Sequence, residues 1–120
     1  MASLTRLAGI GLLLVVPAAA LAHAFLERAE PRAGSTLRAA PAEVRLWFTG
    51  RLEPAFSAVR VVNERGERVD LGDTRVDPAN LALMRASLGA LPPGTYRVIW
   101  RVLALDGHVS EGDFTFRIAP

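Results

Sequence analysis

The chain has 120 residues, with 14 basic side chains, all of them arginine, against 12 acidic ones, and it has no cysteine. That length gives room for one domain. The missing cysteine excludes disulfides, thiolate metal sites and Cys nucleophiles together. The arginines are scattered singly, with no basic run interleaved with aromatics, so there is no footprint for nucleic acid.

Arg6 is the one charged residue before His23. Residues 7–16 form an apolar run that ends near Pro17, and Ala20-Leu21-Ala22 gives an A-x-A cleavage pattern. The run is shorter than the roughly 20 residues a membrane span needs. The expectation is a signal peptide over residues 1–22, cut after Ala22, and a soluble domain over residues 23–120. Without disulfides, that domain must take its stability from an apolar core or from a bound metal.

A short first strand is expected at residues 23–26, followed by a loop over residues 30–41, rich in Pro, Gly, Ala and Ser. Val44, Leu46 and Phe48 alternate with Arg45, Trp47 and Thr49, the pattern of a half-buried strand. Residues 56–62 read as another strand, with Val59 and Val61 on one face. Asn63-Glu64-Arg65-Gly66 supplies turn residues before residues 68–71, predicting a hairpin. Residues 72–80 read as a polar loop with a short edge strand near 74–76. Residues 81–88 permit a helix by composition, but their length and neighbours favour a strand. Leu91-Pro92-Pro93-Gly94-Thr95-Tyr96 has the spacing of a tyrosine corner, in which a buried ring keeps its hydroxyl bonded to nearby backbone. Tyr96, Val98, Trp100 and Val102 then share a face, and Phe114, Phe116 and Ile118 alternate with polar residues to the end. About seven short strands with turn signals between them predict an all-β, two-sheet sandwich.

His23 and His108 are the chain's two histidines. Asp106 lies two residues before His108, so an extended backbone would send both side chains from one face. Cleavage before His23 would free an α-amine that, with the imidazole of the same residue, closes a six-membered chelate ring on a metal ion through Nδ1. The ordinary α-amine pKa of about 7.7–8.0 makes its deprotonation at neutral pH a modest cost. His108 and Asp106 would add a third nitrogen and an oxygen. Such a donor set suits Cu(II), which also heads the divalent affinity series. Zinc fits the same ligands with a tetrahedral preference. Taken singly, His108 is an ordinary loop histidine and Asp106-Gly107 an ordinary turn signal; the combination is what points to a metal.

Together these residues resemble the CopC copper-resistance family. The likeness runs from His23-Ala24-Phe25-Leu26 through Pro31-Arg32-Ala33-Gly34-Ser35, Ala40-Pro41 and Val44-Arg45-Leu46-Trp47-Phe48. It continues at Gly94-Thr95-Tyr96-Arg97-Val98-Ile99-Trp100-Arg101-Val102 and at Asp106-Gly107-His108 with Gly112. The resemblance implies a Greek-key β-sandwich, cupredoxin-like or immunoglobulin-like, exported to the periplasm. It implies about one Cu(II) per chain, held by His23, Asp106 and His108, and a CopD-like membrane copper-transport protein as a partner. Some members also bind Cu(I) through a Met-rich loop; residues 63–80 contain neither Met nor His, and Met84 reads as a packing residue, so no separate Cu(I) site is expected. Ala29 and Ala104 stand where relatives often have Ser. The expected protein is a non-enzymatic, monomeric copper carrier. The alternatives are a histidine-brace copper monooxygenase, which needs an open coordination position, and a metal-free sandwich module.

Overall fold

The computed structural model describes residues 24–120. Eight strands run in chain order: β1 (Leu26–Glu30), β2 (Thr36–Leu37), β3 (Glu43–Phe48), β4 (Ala58–Val62), β5 (Arg75–Asp77), β6 (Asn80–Ser87), β7 (Gly94–Leu103) and β8 (Val109–Ile118). They form two four-stranded sheets, ordered β1-β3-β6-β5 and β2-β8-β7-β4. The only helical piece among the described residues is a 3-10 turn at Pro54–Phe56. The expected all-β sandwich is therefore present, with one more strand than the seven read from the sequence.

The inner faces follow the alternation. On β3, Val44, Leu46 and Phe48 are buried, while Glu43, Arg45 and Trp47 face outward. Val59 and Val61 of β4 meet Val98 and Val102 of β7 in the same core, with Met84, Tyr96, Phe116 and Ile118. Full burial of a side chain such as Phe116 contributes about 1.5–3 kcal/mol and fixes the register, because a one-residue slip would turn that face to water. Residues 81–88, open to a helix by composition, are strand: β6 pairs with both β3 and β5. Met84 is fully buried there, as its packing role requires.

Three readings are corrected at the edges. The first strand begins at Leu26 rather than at residue 23, and carries the polar run LERAE with a bulge between Leu26 and Arg28. An edge strand is specified by its partner's hydrogen bonds more than by its own pattern. The loop over residues 30–41 holds the two-residue β2, which lies parallel to the end of β8. The return arm expected at residues 68–71 is reduced to bridges, Val62 with Arg68 and Asp70 with Leu88.

The tyrosine corner is formed: the Tyr96 hydroxyl donates to the Pro92 carbonyl, and the ring stacks on Phe116 with centroids 5.5 Å apart. On the outer face of the first sheet, the Glu43 carboxylate accepts from Arg45 at 2.7 Å, Arg85 at 3.0 Å and Arg75 at 3.2 Å. Burial works against its charge, but these guanidiniums hold its carboxyl below the usual range.

Candidate metal centre

β7 and β8 are joined by a loop at residues 104–108, which carries Asp106 and His108. Its geometry corrects the extended-strand expectation. Gly107 donates to the Ala104 carbonyl at 2.9 Å, and Ala104 donates to the His108 carbonyl at 3.0 Å, closing a turn. Gly107 takes φ +89°, a conformation open to glycine and strained for other residues. Asp106 folds back over the turn: Oδ1 accepts the His108 N–H at 3.0 Å, and Oδ2 lies 2.9 Å from His108 Nδ1. The two side chains meet because the turn curls, not because a strand aims them the same way.

The contact suits a metal as well as a proton. Donors about 2.0 Å from one ion and at right angles to each other stand about 2.8 Å apart, close to the observed 2.9 Å between Nδ1 and Oδ2. The Asp106 side chain is 18% exposed and that of His108 53%, so the pair is reachable from solvent while its carboxylate is held. Among the described residues, no group of three or more His, Cys, Asp or Glu side chains is placed to hold a metal ion. A third ligand of these types would have to come from outside residues 24–120. His23, the sequence candidate for that role, lies outside the described residues, as do the expected signal peptide and its cleavage point.

The described chain starts at the same end of the sandwich as this loop. Phe25 N–H donates to Thr49 Oγ1 at 3.0 Å, and Thr49 N–H returns a bond to the Phe25 carbonyl at 2.8 Å. Two residues further along, the Arg51 carbonyl accepts from Leu105 N–H at 3.2 Å, Leu52 bridges Ala104, and Glu53 N–H bonds to the Leu103 carbonyl at 2.8 Å. Residues 49–53 thus tie the start of the described residues to the loop that bears Asp106 and His108. Ala24 is fully buried, in one cluster with Leu52 and Ala104. Sequence reading missed this tie, because apart from the Thr49 hydroxyl its bonds are backbone bonds between segments 24 to 54 residues apart, and backbone bonds leave no residue signature.

Comparison with known proteins settles the family. Residues 26–119 match the CopC domain. The chain belongs to the CopC domain family. It is 34% identical over 107 residues to the copper transport protein CutJ of Bacillus subtilis, an alignment covering 88% of this chain and 20% of CutJ. The chain thus spans about a fifth of that relative's length. It is 33% identical to protein YobA of Escherichia coli over 81% of this chain and 79% of YobA. With copper resistance protein C of Pseudomonas syringae it shares 32% identity, covering 88% of this chain and 87% of the relative. Among solved structures, CopC of Methylosinus trichosporium superposes with a TM-score of 0.77 at 33% identity, over 82% of this chain and 95% of that one. PcoC of Escherichia coli, a methionine-rich copper resistance protein, gives 0.69 at 32% identity over 81% and 99%. The family expected from the sequence motifs and the sandwich are both borne out.

Proposed function

We propose that this CopC-family domain is an exported Cu(II) carrier, periplasmic after cleavage behind Ala22, binding about one ion per chain. His23 would supply its amine and imidazole, and Asp106 and His108 would complete the site. The observation that carries this reading is the Asp106–His108 pair, 2.9 Å apart on a loop tied through residues 49–53 to the start of the described chain. The copper transport and copper resistance names of its relatives support the same cargo. Asp106 beside His108 would fill a coordination position that oxygen requires. A carrier fits better than a catalyst.

One ion is proposed rather than two, because Met84 is buried in the core and residues 63–80 supply no soft ligand. Among the described residues no helix is long and apolar enough to cross a membrane. Delivery to a CopD-like membrane protein is part of the proposal, with the carrier itself a monomer. The deciding experiment is an intact mass of the exported protein together with its metal content. A mass beginning at His23 with one copper is expected, and one extra residue placed before His23 should weaken Cu(II) binding sharply. A mature chain starting elsewhere, or affinity indifferent to the extra residue, overturns the ligand set.

A further inference from the structure

β8 is ten residues long, but among the described residues only its last part has a neighbour on the side away from β7. There the Thr115 carbonyl accepts from Gly34 N–H at 2.7 Å, Arg117 N–H donates to Ser35 at 2.9 Å, and Ala119 N–H donates to Leu37 at 2.8 Å. Odd-numbered residues therefore direct their backbone groups away from β7. His108, whose carbonyl accepts from Ala104 of the β7 arm, marks the even-numbered residues as the ones facing inward. By the same parity, the N–H and C=O groups of Val109, Glu111 and Asp113 point out of the sheet, and no described residue bonds to them there.

The opposite edge of the same sheet is treated differently. On β4, Val59 N–H donates to Thr74 Oγ1 at 3.3 Å, and Thr74 Oγ1 returns a bond to the Val59 carbonyl at 3.1 Å. Val61 N–H is taken by Asp70 at 2.8 Å, and its carbonyl accepts Val69 N–H at 2.8 Å. In the other sheet, β1 is broken by its bulge and β5 is three residues long. The stretch Val109 to Asp113 is thus a regular, exposed edge beside a capped one. Folded proteins blunt sheet edges by shortness, bulges, caps or charged side chains; of these, this edge carries only the charges of Glu111 and Asp113.

We propose that the edge of β8 from Val109 to Asp113 is a docking site for an extended segment of a partner protein with Arg or Lys at alternate positions, added as a further strand. Main-chain bonds would supply the affinity and the flanking side chains the selectivity. Glu111 and Asp113 line this edge on the outer face. Their ion pairs to Arg101 and Arg97 are long, 3.4 Å each, between side chains more than half exposed. Arg97 and Arg101 sit one strand further in, and Arg60 of β4 one strand beyond them, so the column nearest an added strand is acidic. A second copy is a poor occupant. Pairing β8 with itself would bring Glu111 and Asp113 against their own equivalents, and like charges directly opposite are destabilising. The site begins one residue after His108 but is made of backbone, so it does not depend on the copper reading.

The test uses the isotope-labelled exported protein and two synthetic eight-residue peptides, one alternating Arg and Thr, the other Glu and Thr. Amide exchange at Val109, Glu111 and Asp113 should slow by at least about tenfold with the Arg peptide and be unchanged by the Glu peptide. Glu111→Pro removes an edge N–H that β7 does not use, so the fold should survive while the peptide affinity falls about tenfold or more. The double variant Glu111→Lys, Asp113→Lys keeps every backbone group and should reverse the preference between the two peptides. Protection absent from these amides, equal protection by both peptides, or binding unaffected by Glu111→Pro overturns the proposal. Concentration-dependent protection without any peptide would make the occupant a second copy, which also overturns it.

Discussion

The indole of Trp100 lies across the backbone of Gly112 on the neighbouring strand, so close that a methyl group on Gly112 would stand 2.5 Å from Cζ2 and 2.7 Å from Cη2. The two are register partners in the β7–β8 pair. The ring also touches Phe48 across the sandwich at 6.2 Å and Phe114 at 6.1 Å, so it has little room to retreat. Gly112→Ala is therefore expected to cost about 1–3 kcal/mol, as overpacking does, and to change the Trp100 fluorescence. Urea unfolding measures the cost, and a Trp100→Phe background should recover most of it. An Ala variant as stable as the parent would show that this contact is loose.

Tyr96→Phe isolates the hydroxyl of the tyrosine corner. The ring keeps its stack on Phe116, while the bond to the Pro92 carbonyl is lost. A loss of about 0.5–1.5 kcal/mol is expected, with copper binding unchanged, because the corner lies at the start of β7 and the Asp106 loop at its end. A change in copper affinity equal to the stability change would mean that the corner and the loop move as one unit.

Asp70 is one of the carboxylates, with Glu43, that should shape the acid limb of stability. Its side chain is fully enclosed, and burial alone would raise its pKa. Arg68 at 2.9 Å and the N–H groups of Val61 and Gly72 outweigh that and hold the carboxyl below its ordinary value. A carboxyl depressed in the folded state stabilises the fold above its unfolded pKa, about 3.9, and that stabilisation is lost as pH falls through the lower, folded value. The protein should lose stability steeply below about pH 4. Asp70→Ala leaves two N–H groups without their acceptor and should cost about 1–3 kcal/mol at neutral pH, with a flatter acid limb. Thermal melts between pH 2 and 7 read both effects; an unchanged acid slope in the variant would assign it to other carboxylates.

What the sequence makes legible follows from which interactions leave a residue pattern. Val44, Leu46 and Phe48 had to alternate because one face of β3 meets the core, and Leu91 to Tyr96 had to keep its spacing because the hydroxyl must reach Pro92. β1 and β2 are held by backbone bonds to β3 and β8, and their polar side chains look like loop. Asp106 and His108 were legible as a pair of ligand types, but their contact depends on Gly107 at φ +89° and on the carboxylate bending back to the His108 N–H. Alternation cannot encode a turn. The tie through Thr49 and Arg51 joins segments whose nearness only the folded chain supplies.

Gly107 separates the shape of the candidate metal centre from its chemistry. Gly107→Ala meets no atom within 4 Å, so space is not the issue; the cost is the positive φ, about 1 kcal/mol or somewhat more. If the turn relaxes to relieve that strain, Nδ1 and Oδ2 move off their 2.9 Å spacing with every ligand atom still present. Cu(II) affinity should then fall about tenfold, as when a ligand's supporting contact is lost. His108→Ala should lower affinity further, with stability almost unchanged, because the side chain is more than half exposed. Isothermal titration with Cu(II), beside a melt of the metal-free protein, gives both quantities for each variant. Parent-like copper affinity in Gly107→Ala, with NMR showing the turn displaced, would show that the ion does not use the Asp106–His108 geometry seen here.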